Sequence, residues 1–223
     1  MFKAIIIGGT GATGIQLVKK MINNVDCDLI TSIARKPVLG GEKNDKLVDL
    51  VIDSLEDLSG TSEHWPGHDV FFNCIGTTRK TAGSAEKFIK IESGISNEAA
   101  RMASEAKIPH GSLISAKGAN HEAWAVNWIH PLLYVKTMGQ KQESVLTNYP
   151  LEYVSIFQPE MLIRFKNKET WFETLSKIFG LTISVEDLAA AMINDAIRVK
   201  NGQSPGPIQV FTGNDNIRRL LNL

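Results

Sequence analysis

The stretch Gly8-Gly9-Thr10-Gly11-Ala12-Thr13-Gly14 follows directly on the apolar run Lys3–Ile7 and leads into a segment of helical period, Ala12–Asn24. It contains G-x-G-x-x-G as Gly9, Gly11 and Gly14, and G-x-x-G-x-x-G as Gly8, Gly11 and Gly14. A pyrophosphate lying against backbone N–H groups tolerates no Cβ at the point of approach. The start of a helix adds free N–H donors and a partial positive charge. Set between a strand and an amphipathic helix, the loop predicts a dinucleotide-binding unit. No Lys-Ser/Thr pair closes it, so a Walker-type nucleotide site is excluded. The competing explanation is a glycine-rich turn that only permits close strand–helix packing.

The same alternation continues along the chain. Further strand candidates are Asp28–Ala34, Leu47–Ile52, Asp69–Ile75, Gly111–Ser115, Leu151–Phe157 and Ile208–Thr212. The first helix is expected to bury Ile15, Val18, Ile22 and Val25. A second, from about Glu86 to Lys107, is expected to bury Phe88, Ile91, Ile95, Ala99, Met102 and Ala106. Ser184-Val185-Glu186-Asp187 reads as an N-cap with a carboxylate three residues on. Strands alternating with helices through right-handed crossovers give an α/β fold, a doubly wound parallel sheet. A chain of 223 residues suits a single domain of about seven strands.

Composition removes several function classes. Lys+Arg and Asp+Glu number 24 each, so the formal net charge is zero and no basic excess exists for nucleic acid. No apolar run approaches the ~18–20 residues that span a bilayer. The opening residues lack the ~7–15-residue apolar core of a secretory signal, so a cytoplasmic location is expected. Cys27 and Cys74 form no CxxC, and Cys74 reads as a small buried hydrophobe. His64 and His68 lie four apart, but Pro66-Gly67 breaks any helix that would align them. They read as a surface turn, and no metal site is expected.

An NAD site places Asp or Glu about 20 residues beyond the glycines, where it holds the ribose 2′-OH. Here the second strand ends Ser32-Ile33-Ala34-Arg35-Lys36, without a carboxylate. Two cations suit a 2′-phosphate, and Arg35 can also stack on adenine. The expected cofactor is NADP(H); the alternative is a solvated loop pair.

The glycine loop and Arg35, together with GHDVFFNCIGTTR at 67–79 and LISAKGA at 113–119, resemble the atypical short-chain dehydrogenase/reductases. The nearer resemblance is to the Tat-interacting-protein oxidoreductases, a branch associated with nuclear import and transcription. It runs from about Lys3 to Arg164, and Gly76-Thr77-Thr78-Arg79 is its most specific part. The resemblance implies a Rossmann fold in which Gly8, Thr10, Gly11, Ala12, Thr13 and Gly14 line the pyrophosphate. It implies that Arg35 holds the 2′-phosphate, that Asp53 lies near the adenine, and that Cys74, Ile75 and Gly76 lie under the cofactor. Ser115 would be the catalytic serine and Tyr134 the catalytic tyrosine. Protein partners among transport or transcription factors are also implied.

Two positions depart from that pattern. A phenol with pKa ~10 is a poor base at neutral pH, and a lysine four residues later usually lowers it. Here that position is Met138, read as a gap-filler between helix and sheet. Lys136 is about 200° round the helix and points away, and Lys141 is ~10 Å further along the axis. Lys117, close after Ser115, remains as the electrostatic helper. After the sixth strand, relatives resemble Arg-Pro-Gly, whereas this chain has Gln158-Pro159-Glu160, placing bulk and charge at the nicotinamide end.

Two functions are consistent with these residues. One is an NADP(H)-dependent oxidoreductase acting on a carbonyl or alcohol through Ser115, Tyr134 and Lys117. The other is a binding module that holds NADP(H) with little or no turnover and acts through protein partners. The loop around His121, Trp124, Trp128 and His130 reads as a substrate lid or a partner surface.

Overall fold

Strand β1 (Phe2–Ile7) sends Ala4 and Ile6 into one core and Ile5 and Ile7 into another, all fully buried. A strand apolar on both faces needs cover on both, which parallel strands alternating with helices provide. The computed structural model describes residues 1–163 and 182–222; Arg164, where the resemblance ends, lies outside them. After β1 come α1 (Ala12–Ile22), β2 (Cys27–Ala34), β3 (Leu47–Val51), β4 (Val70–Asn73), α2 (Arg79–Ala82), α3 (Ala85–Ile89) and α4 (Ile95–Glu105). Then follow β5 (His110–Ile114), α5 (His130–Glu143), β6 (Tyr153–Gln158), β7 (Met161–Ile163), β8 (Thr182–Ser184), α6 (Val185–Lys200), β9 (Ile208–Thr212) and α7 (Asn214–Arg219).

The main sheet runs β3-β2-β1-β4-β5-β6-β9 with every neighbouring pair parallel. This is the expected doubly wound, seven-stranded Rossmann arrangement. The short strands β7 and β8 pair separately. On one face α1 and α6 pack together, Leu17, Val18 and Met21 in one core with Leu188, Ala189 and Met192. On the other, Ala99, Met102 and Ala103 of α4 share a core with Trp65 and Phe71, whose rings lie 5.7 Å apart.

Local chemistry sets the element ends. Ser184 caps α6 by accepting the Asp187 N–H at 3.0 Å, as its sequence predicts. Strand β4 stops at Asn73 rather than Ile75, because the backbone beyond it finds other partners: Ile75 N–H donates to Asn73 Oδ1, and Ile75 O accepts from a lysine. The buried face of α1 is Thr13, Gly14, Leu17, Val18 and Met21; of the expected set Val18 is buried, Ile15 and Ile22 are half-buried, and Val25, past the helix end, is 82% exposed. Between α3 and α4 the helix passes through a π turn at Lys90–Gly94, which the hydrophobic spacing did not reveal. His68 is buried rather than in a surface turn. Its Nδ1 lies 2.9 Å from the Trp65 carbonyl and its Nε2 2.9 Å from Thr31 Oγ1, and burial holds its pKa below the ordinary value.

The first loop is where packing is tightest. A Cβ on Gly14 would lie 2.1 Å from Gly8 O, a backbone atom that cannot swing aside. Gly14→Ala is therefore expected to lower stability by about 3 kcal/mol. The check is a lower urea midpoint at unchanged slope. Gly60→Ala, which meets nothing within 4 Å, should leave the midpoint in place.

Candidate functional site

Strand order reverses between β1 and β4, and in open α/β sheets ligands bind at that switch point, beyond the carboxyl ends of the strands. The loop leaving β1 turns there through Gly8, whose φ is +85° and whose Cβ would lie 2.7 Å from the Cys74 backbone. Gly11 N–H donates to Gly8 O at 3.0 Å. Helix α1 then starts with no side-chain cap and no acidic residue in its first turn. Its ladder begins at Ile15 N–H to Gly11 O, 2.9 Å, so the amides of Ala12, Thr13 and Gly14 stand ahead of it. A bare helix start beside a glycine turn fits a diphosphate by charge and by space.

Two adjoining cavities open from this cradle. The larger, about 540 Å³, is lined by Gly8, Thr10 and Gly11, by Arg35 and Asp53, and by Cys74, Ile75 and Gly76. The smaller, about 220 Å³, shares Gly11 and Cys74–Gly76 and extends past Ala12 and Thr13 to Ser115, Tyr134 and Met138. Both also touch Thr77, so the cavities meet over the turn that follows β4. The structure thus brings most of the expected site residues to one cleft.

Three positions differ from expectation. Gly14 lines neither cavity through a side chain; it is the packing glycine that lets α1 approach Gly8. Lys117 does not join Ser115 and Tyr134. It pairs with Glu160 at the edge of a separate polar pocket that includes Arg219 and Asp215. Glu160 is drawn to the same pocket, away from the smaller cavity, because Lys117 neutralises it there and Asn214 Oδ1 accepts its N–H. Within the Gly-Thr-Thr-Arg run, Thr78 caps α2 by accepting the Thr81 N–H at 3.1 Å.

In the smaller cavity, Ser115 Oγ donates to the Met138 carbonyl at 3.3 Å and accepts from Gln142 Nε2 at 2.8 Å. The Tyr134 ring lies 6.2 Å from Phe88 and 6.1 Å from His130. Met138 is buried in an apolar cluster with Phe88 and Leu133. Two charged residues complete the smaller cavity. Glu92, on the π turn, accepts the Thr77 N–H through Oε1 and faces Lys141 Nζ through Oε2 at 3.2 Å. Lys141 Nζ also donates to the Ile75 carbonyl.

Sequence reasoning missed Glu92 and set Lys141 aside on axial distance. The distance argument omitted that helical side chains lean toward the N-terminus, so a long side chain covers the turn before its own Cα. Glu92 carried no signal, because a π turn shifts helical register without altering the apolar spacing on either side. Trp124 and Trp128, in the loop before α5, are 69% and 83% exposed. That loop is pressed onto α5: a Cβ on Gly139 would lie 2.0 Å from His121 N.

A family model described as NAD(P)H-binding matches residues 8–196. Over 143 residues the chain is 34% identical to "Protein FMP52, mitochondrial" of Debaryomyces hansenii, covering 64% of this chain and 59% of that protein. Over 208 residues it is 26% identical to "Protein HTATIP2" of Rattus norvegicus, covering 89% of this chain and 82% of that one. The crystal structure of the oxidoreductase ylbE from Lactococcus lactis superposes with a TM-score of 0.67 at 17% identity, covering 99% of this chain and 95% of its own. The chain thus spans 59% of the length of the first of these relatives. The fungal name speaks of mitochondria, not of the cytoplasm expected above. Among the described residues no helix is long and apolar enough to cross a membrane.

Cys74 lies in the floor of both cavities, and burial pushes its thiol up to about 12, against a small opposing effect of Lys141. Cys27 is pushed up to about 11, also by burial. The Cys74 thiolate population at pH 8 is then about a thousandfold below that of a free thiol. Iodoacetamide at pH 8 is expected to leave both thiols unmodified in the native protein and to label both in urea. Mass spectrometry of the alkylated chain checks this; rapid native labelling of Cys74 would contradict its inert role.

Proposed function

The chain belongs to the NAD(P)H-binding family, and on that premise we propose that it is an NADP(H)-dependent oxidoreductase acting on a carbonyl or alcohol. One observation carries this reading: the cleft is continuous from the glycine cradle and Arg35 to Ser115 and Tyr134. In it the amides of Ala12, Thr13 and Gly14 hold the diphosphate and Arg35 holds the 2′-phosphate. Asp53 borders the adenine end, and Cys74, Ile75 and Gly76 form the floor. The bound nicotinamide supplies or accepts a hydride. Tyr134 exchanges a proton with the substrate oxygen, and Ser115 positions that oxygen.

The Ser115 hydroxyl is already engaged. Its proton goes to the Met138 carbonyl, so the O–H must rotate before it can donate into the cleft. Gln142 can keep donating to the same oxygen meanwhile, because a hydroxyl accepts through two lone pairs. This engagement favours one second reading: a protein that holds NADP(H) with weak turnover and acts through a protein partner, for which Trp124 and Trp128 offer an exposed aromatic surface.

Saturating NADPH should raise the melting temperature. At 100 times Kd the stabilisation is ~2.7 kcal/mol, or roughly 5–11 °C for a chain of this size. NADH should do less, and Arg35→Ala should remove the difference. Equal shifts with both cofactors would remove the 2′-phosphate assignment.

Turnover of a carbonyl panel with NADPH is expected to fall about a hundredfold or more in Tyr134→Phe. An NADPH-induced thermal shift with no turnover anywhere on the panel would instead support the holding protein.

A further inference from the structure

Glu92 and Lys141 are a charged pair with side chains only 4% and 1% exposed. Removing two charges from water is costly, and apolar residues in their place are often as stable or more so. Their surroundings are specific. Lys141 Nζ holds the Ile75 carbonyl and Glu92 holds the Thr77 N–H, so the pair grips the turn over which the two cavities meet. It also forms a wall of the smaller cavity, beside Tyr134 and Met138.

We propose that Lys141 is the cation of this site, acting from one turn deeper than the position Met138 occupies, and that Glu92 holds it in place and moderates its effect on the Tyr134 phenol. This rests on the assignment of Tyr134 as the proton-exchanging group. Lys141 is then a positioning residue that acts through Tyr134.

Three observations support it. The cavity is about 220 Å³, on the order of 8 Å across, so charges on its walls lie within about one Debye length of one another, and the Lys141 and Glu92 side chains are themselves buried. Among the described residues lining it, Lys141 is the one lysine or arginine; Lys117 belongs to another pocket and Lys136 lines neither cavity. The Lys141 ammonium has three N–H groups, and Ile75 O and Glu92 Oε2 account for two of them.

Among the described residues, the other titratable groups around Tyr134 leave the sign of the effect clear. His130 stacks edge-on at 6.1 Å, and Cys74 is a neutral thiol because of its burial. Glu92 carries the opposing charge. Lys141 should therefore lower the phenol and Glu92 should raise it. A pair too distant from the phenol to act on it would move it in neither direction.

The test is the phenol titration of the cofactor-free protein, followed by NMR of ring-labelled tyrosine. Tyr134 is assigned by Tyr134→Phe among the three tyrosines of the chain. Lys141→Met is expected to raise the Tyr134 midpoint by about one pH unit. Lys141→Arg should restore it, and Glu92→Gln should move it the other way. An unmoved midpoint in a folded Lys141→Met protein overturns the proposal.

Lys141→Met leaves Glu92 buried without its cation, so a second variant covers the case in which it does not fold. In the neutral double variant Lys141→Gln/Glu92→Gln, a midpoint above the natural protein's supports the proposal, and one at or below it overturns the proposal. Two controls separate this from the functional reading. An unmoved phenol with the NADPH thermal shift intact overturns the role of Lys141 alone. Full turnover in Tyr134→Phe overturns the proton-exchanging assignment on which that role rests.

Discussion

The structure depends on one close approach. Gly8 O lies where a Cβ of Gly14 would be, and Gly8 itself bends back against the Cys74 backbone. These two contacts fix the start of α1 against the ends of β1 and β4. The helix start then faces the switch point with its first amides ahead of the hydrogen-bond ladder. Looser packing would still form the sheet, but the amides would no longer converge on a single point. The packing explanation for the glycines and the phosphate explanation are thus not rivals: Gly8 and Gly14 do the packing, and Gly11 faces the space that the packing creates.

Much of this was legible in the residues because it follows from local rules. Strand β1 announces its double burial through Ala4, Ile5, Ile6 and Ile7, and Ser184 announces α6 through its cap. Seven parallel strands follow from the alternation. The glycine loop and Arg35 reach the cleft because their places are set by neighbours in sequence. Charge partners across the fold are not set that way. Lys117 stands two residues from Ser115 yet turns to Glu160, and Glu160 turns with it. Proximity in sequence said where the backbone of Lys117 would be, and nothing about which anion would claim its side chain.

The Ser115–Tyr134 end of the cleft was less legible for a related reason. Distance along a helix axis was used as though side chains stood perpendicular to it, and the register of the long helix was treated as uniform. The π turn at Lys90–Gly94 breaks that uniformity at the residue that meets Lys141. Each step is physically small, a lean toward the N-terminus and one extra residue in a turn. Together they bring a lysine and a glutamate into a space from which the apolar pattern would exclude both.

Three unfavourable choices meet in that space: a π turn, a buried carboxylate and a buried ammonium. Stability alone gives no reason to combine them, since an apolar pair would fill the same volume without the desolvation cost. Other departures exist, a second π turn at Ser144–Asn148 and a buried Asp195 3.9 Å from His110, but here all three features meet in the wall of one cavity, and sequences tend to break ordinary rules at working sites. Met138 sharpens the point. An apolar side chain beside Tyr134 lowers the local polarity, which strengthens any charge that remains on the cavity wall. A methionine where the family resemblance implies a lysine, and a lysine buried a turn away, are then two parts of one arrangement, in which the ammonium is deeper, drier and tied to a carboxylate.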